Sequence, residues 1–119
     1  MAMILIVEDE QSIAHLLQDI LEEQGYTVGL SSNGQEALER LPDLAPHVVL
    51  SDVMMPLLDG IGLCHSIQRD PSYQGIPIIL MSAGHERHLS GCVYTAFLAK
   101  PFQIDDLLTV VARVVTNAA

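Results

Sequence analysis

The chain has 119 residues, half of them hydrophobic, with 15 acidic side chains against 5 basic ones and a formal charge of −10. That length suits one domain with one core, spanning 1–119, and so acidic a surface argues against direct contact with nucleic acid. No apolar run approaches the roughly eighteen residues of a membrane helix, and Met1 leads into a strand pattern with no basic leader, so a cytoplasmic protein without span or signal peptide is expected.

Met3–Val7 is a β-branched apolar run closed by Glu8-Asp9-Glu10, a buried strand followed by a loop. From Gln11 to Gln24 the period changes, and Ile13, Leu16, Leu17, Ile20 and Leu21 form the stripe of an amphipathic helix. Gly25 stands where a helix end needs positive φ, and Tyr26–Leu30 is a second, weaker strand. Asn33 with Glu36 three residues on reads as a helix start. Ala37, Leu38 and Leu41 face inward, and Pro42 and Pro46 bracket the next loop.

Val48-Val49-Leu50-Ser51-Asp52 runs straight from apolar residues to a carboxylate, and Pro56 requires the chain to have left the sheet. A helix carrying Ile61, Cys64 and Ile67 follows Asp59-Gly60 and ends near Asp70-Pro71. Pro77–Met81 is a fourth strand and Phe97–Ala99 a short fifth. Ile104, Leu107, Leu108, Val111 and Val115 mark a last helix with Asp105 and Asp106 in its first turn. Cys64 and Cys92 read as two reduced thiols, with a disulfide or redox switch as the minor reading. His85 and His88 have i, i+3 spacing that suits a metal but read better as solvated side chains.

Strands alternating with helices, and apolar throughout, imply a parallel sheet covered on both faces. Its strands end at Glu8-Asp9, Asp52, Ser82 and Lys100, so these groups share one edge of the sheet. Asp9 and Asp52 offer oxygen ligands to a hard cation such as Mg2+. Lys100, the only lysine, supplies a point positive charge, and Ser82 a hydrogen-bond donor. Together they describe a phosphoryl-transfer site in which an Asp52 oxygen attacks phosphorus. A carboxylate nucleophile needs no general base, and no histidine stands at these strand ends.

These stretches resemble the receiver (CheY-like) domain of two-component response regulators: Ile4–Glu10, Ser51–Pro56 with Asp59-Gly60, Pro77–Ala83 and Phe97–Phe102. The resemblance covers nearly the whole chain. It implies a flavodoxin-like (βα)5 fold with strand order 2-1-3-4-5. It also implies that Asp52 accepts a phosphoryl group from a histidine kinase or phosphotransfer protein with Mg2+ (or Mn2+), as a signalling switch and not a turnover enzyme. Asp9 and Asp52 would ligate the cation, with Glu8 in the acidic pair and the Met54 backbone carbonyl as a further ligand. Ser82 and Lys100 would bind phosphoryl oxygens, the Lys100-Pro101 peptide would be cis, and Ser82 and Phe97 would relay the change to a partner surface. Met54 and Gly84 flank the site without side-chain hydrogen-bonding groups to position a hydrolytic water, so a long-lived phosphoryl group is expected.

The chain departs from the family between Ser82 and Lys100, which stand closer together than receivers usually have them. A shortened or irregular fourth helix is expected over residues 85–95, and the usual receiver dimer through that face is put in doubt. A downstream protein or a fused output domain would receive the signal; no output domain follows residue 119, so the chain reads as a stand-alone receiver or a piece of a larger regulator. The alternative function is a receiver-like interaction module with little phosphorylation. A phosphatase would want an acid where Met54 stands. A flavin module would want a phosphate loop in place of Glu8-Asp9-Glu10.

Overall fold

A computed structural model of the chain describes residues 2–83 and 91–118. Among these residues the order is β1 (Met3–Val7), α1 (Gln11–Glu23), β2 (Thr27–Ser31), α2 (Gly34–Leu44), β3 (Val48–Asp52), α3 (Gly60–Arg69), β4 (Ile78–Ser82), β5 (Ala96–Ala99) and α4 (Ile104–Ala118). The five strands form one parallel sheet of order β2-β1-β3-β4-β5. This is the flavodoxin-like arrangement expected from the sequence.

Alternation along the strands divides the core in two. Ile4, Ile6 and Leu50 meet Leu17 and Leu21 of α1 and Leu107 and Val111 of α4. Leu5, Val7, Val49 and Leu80 face the other way, onto Ala37 and Leu41 of α2 and Leu63, Cys64 and Ile67 of α3. Because both faces are covered, β3 and β4 are buried at every position. Uninterrupted apolar runs, rather than alternating ones, are what such strands require.

Several expected boundaries move. The second strand starts at Thr27, not Tyr26, and the fourth at Ile78, not Pro77. Helix α2 runs through Pro42 to Leu44 instead of ending before it. Its last turn is closed by the Ala45 N–H donating to the Leu41 carbonyl (2.9 Å), and Leu41 and Leu44 hold that turn on the core. Leu16, expected on the inward stripe of α1, is 58% exposed, because Ala14, Leu17 and Leu21 make the buried line of that helix. Residues 84–90 lie outside the described residues, and with them the expectations for Gly84, His85, His88 and the first part of the connection. Residues 91–95 carry no helix.

Candidate functional site

In an open α/β sheet the ligand crevice lies outside the carboxyl ends of the strands, where the strand order reverses. Here β1 pairs with β2 on one side and β3 on the other, so the crevice lies over the ends of β1 and β3. Asp52 is the last residue of β3 and is 9% exposed. Glu8, just past β1, is 2% exposed, and Asp9 is exposed. Carboxylate oxygens of Glu8, Asp9 and Asp52 all lie within 4.8 Å of one another.

Lys100, directly after β5, reaches into this cluster. Its Nζ donates to Glu8 Oε1 at 2.8 Å and to Asp52 Oδ2 at 3.2 Å. Its backbone N–H donates to the Ser82 carbonyl at 2.8 Å, which ties the ends of β4 and β5 together. Ser82 is buried at the end of β4. The Lys100-Pro101 peptide is cis, as expected. Met54 stands two residues past Asp52 with an exposed side chain. Phe97 is half-buried against the α2–α3 side of the core, its ring 6.5 Å from that of Tyr94.

The acids and the lysine perturb one another. Burial raises the Glu8 pKa and the Asp52 charge adds to the rise, against the opposing pull of Lys100 and the Glu10 N–H. Burial pulls the Lys100 ammonium down, but the hydrogen bond to Glu8 and the nearby Asp52 charge outweigh it and hold its pKa above the ordinary lysine range. Three carboxylates answered by one ammonium leave an excess of negative charge lined with hard oxygen donors. That donor set fits Mg2+ or Mn2+.

Two features were not read from the sequence. A Cβ on Gly60 would come within 2.3 Å of the Asp52 carbonyl oxygen, so only glycine lets the start of α3 close over the end of β3. The Gly60 N–H donates to the Val53 carbonyl at 2.8 Å, and Asp59 caps the helix by accepting from the Gly62 N–H at 2.8 Å. The dipeptide Asp59-Gly60 was the available signal. The second feature is an apolar groove of about 350 Å³ beside the acids, formed by Ile13, Leu16, Leu17, Ala83, Pro101 and Phe102, with Lys100 at its edge. Nothing local marks it, because its walls come from opposite ends of the chain.

A flavodoxin-like sheet with an acidic cluster and a lysine at its switch point defines a class of signalling domain, and comparison with known proteins makes it specific. The family model described as the response regulator receiver domain matches residues 4–112. The chain belongs to the response regulator receiver family of two-component signal transduction. It is 32% identical to the response regulator Rre1 of Synechocystis sp. over 96% of its length and 52% of that protein's. It thus spans about half the length of this curated relative, and 24% of the transcriptional regulator NtrC of Escherichia coli, to which it is 35% identical over 94% of its own length. Among solved structures, the receiver domain of a signal transduction histidine kinase from Syntrophus aciditrophicus matches with a TM-score of 0.91 at 35% identity, covering 98% of this chain and 92% of that one. The receiver domain of a sensor histidine kinase from Pseudomonas aeruginosa, solved with a magnesium ion in its active-site cleft, matches with a TM-score of 0.87 at 25% identity, covering 97% and 98%.

Proposed function

We propose that Asp52 is the phosphoacceptor of this receiver domain. The observation that carries the reading is the placement of Lys100 Nζ between Glu8 and Asp52, beside three mutually close carboxylates. An oxygen of Asp52 attacks the phosphorus of a phosphohistidine on a kinase or phosphotransfer protein. The P–N bond breaks, the imidazole nitrogen keeps the electron pair and takes a proton, and an aspartyl phosphate remains.

Lys100 lies where it can exchange a carboxylate partner for a phosphoryl oxygen, and the Ser82 hydroxyl donates to another. Glu8, Asp9, Asp52 and the Met54 carbonyl are the groups that would hold Mg2+ or Mn2+. When bound, that cation offsets the repulsion among the acids and the charge on the phosphoryl oxygens. Movement of Ser82 and Phe97 would carry the change to a partner surface, and the side chain of Met54 offers no hydrogen bond to a hydrolytic water, in keeping with a long-lived phosphoryl group. The groove along Leu16, Pro101 and Phe102 borders the site and suits an apolar helix face of the donor. The partner of the phosphorylated form is a downstream protein or an output domain, not nucleic acid, given the net charge of −10.

Intact mass after incubation with acetyl phosphate and Mg2+ tests the reaction. The natural protein gains one phosphoryl group and Asp52→Asn gains none. Equal gains by both would move the acceptor elsewhere.

A further inference from the structure

Cys64 and Cys92 lie far apart in the chain but meet in space. Cys64 is fully buried on the inner face of α3, and Cys92 is half-buried against the same core cluster. The two side chains pack in the same core cluster, close enough for Cys92 to perturb the Cys64 thiol. The contact sits within a longer seam. Gly91 (φ 100) lies against Ile61, where an added Cβ would make ordinary contact at 3.8 Å. On the other side of the pair, Gln68 clamps Val93: its Nε2 donates to the Val93 carbonyl, and its Oε1 accepts from the Val93 N–H at 3.0 Å. Ile61, Cys64 and Gln68 form one stripe of α3 at helical spacing, and residues 91, 92 and 93 run along it in order. The chain then passes through Tyr94 and Phe97, whose ring centroids lie 6.5 Å apart with the planes tilted by 55°, to Lys100.

We propose that Cys64 and Cys92 are a redox pair, closed to a disulfide by peroxide and reopened by thiols, that locks the segment entering β5 onto α3. Cys92, the more accessible sulfur, reacts first. Its thiolate attacks one oxygen of hydrogen peroxide, the O–O bond breaks, and the departing hydroxide leaves as water with a proton from solvent. The Cys92 sulfenic acid is then attacked by the Cys64 sulfur. The S–O bond breaks, and hydroxide leaves as water with the Cys64 proton. Two thiols lose two electrons and one peroxide becomes two waters. Burial, and then the neighbouring Cys92, push the Cys64 thiol pKa up, which disfavours Cys64 as the first target of peroxide.

The crosslink bears on the phosphoacceptor site because Phe97 and Lys100 lie just beyond the locked segment. That consequence rests on the function proposed above, whereas the disulfide itself does not, and the two fail separately. The test is peptide mass mapping without reduction, after brief treatment of the chain with hydrogen peroxide and alkylation of free thiols. A Cys64–Cys92 crosslink within the monomer, reversed by dithiothreitol, is the expected result. In Cys64→Ser the Cys92 sulfenic acid, having lost its resolving thiol, accumulates and is trapped by dimedone, while the natural protein yields little adduct. Hydrogen exchange over residues 92–97 slows in the oxidised protein, and its melting temperature rises by about 10 °C. Crosslinks only between two copies through Cys92, or sulfinic Cys92 beside a free Cys64, would overturn the proposal.

Discussion

At Glu8, burial and pairing pull in opposite directions. The folded state holds the Glu8 proton to higher pH than the unfolded chain does. Its contribution to stability is therefore fully present below the ordinary value of 4.5 and is lost as pH rises through the raised folded value. At neutral pH the ionised carboxylate is a net cost to folding, so Glu8→Gln is expected to melt at or above the temperature of the natural protein at pH 7. A clearly lower melting temperature would show that the Lys100 ion pair outweighs burial. Lys100 has the complementary dependence: its contribution is full below 10.5 and disappears as pH rises through its raised folded value. Lys100→Met leaves Glu8 and Asp52 facing each other unanswered, and is expected to cost about 1–2 kcal/mol in denaturant unfolding and to abolish uptake from acetyl phosphate.

Helices α2 and α3 are capped by side chains at their N-termini. Asn33 accepts from the Glu36 N–H at 2.8 Å while the Glu36 carboxylate accepts from the Ser32 N–H at 3.0 Å. This reciprocal cap was legible as Asn33 followed by Glu36, since such caps are local and need no partner from elsewhere. Asn33→Ala is expected to lose about 1 kcal/mol. Gly60→Ala forces a methyl against the Asp52 carbonyl and is expected to cost about 2–3 kcal/mol and to slow phosphorylation by displacing the strand end. Helix α1 carries a different test. Leu16→Asp is expected to slow transfer from a phosphorylated protein donor more than tenfold, while uptake from acetyl phosphate stays unchanged. Equal loss in both assays would remove the groove from donor docking.

Across the whole molecule, the excess of acids is expected to make stability depend on cations. Millimolar Mg2+ is expected to raise the melting temperature in proportion to the logarithm of its concentration once the site saturates. Asp52→Asn is expected to blunt that rise, and an equal rise in both proteins would place the ion elsewhere. The sequence by itself determined the α/β class, the strand order by resemblance, and the identity of the groups at the strand ends. Periodicity and strand-end chemistry are local properties that parallel order projects onto one edge. Only the tertiary structure decided that Glu8 is buried while Asp9 is exposed, that Lys100 answers Glu8 more closely than Asp52, and that Leu16 borders a groove instead of filling the core. It also decided that Cys92 packs against the core cluster that holds Cys64. Each of these depends on the distance between residues remote in sequence, and helix packing on a twisted sheet sets that distance where periodicity along one element cannot.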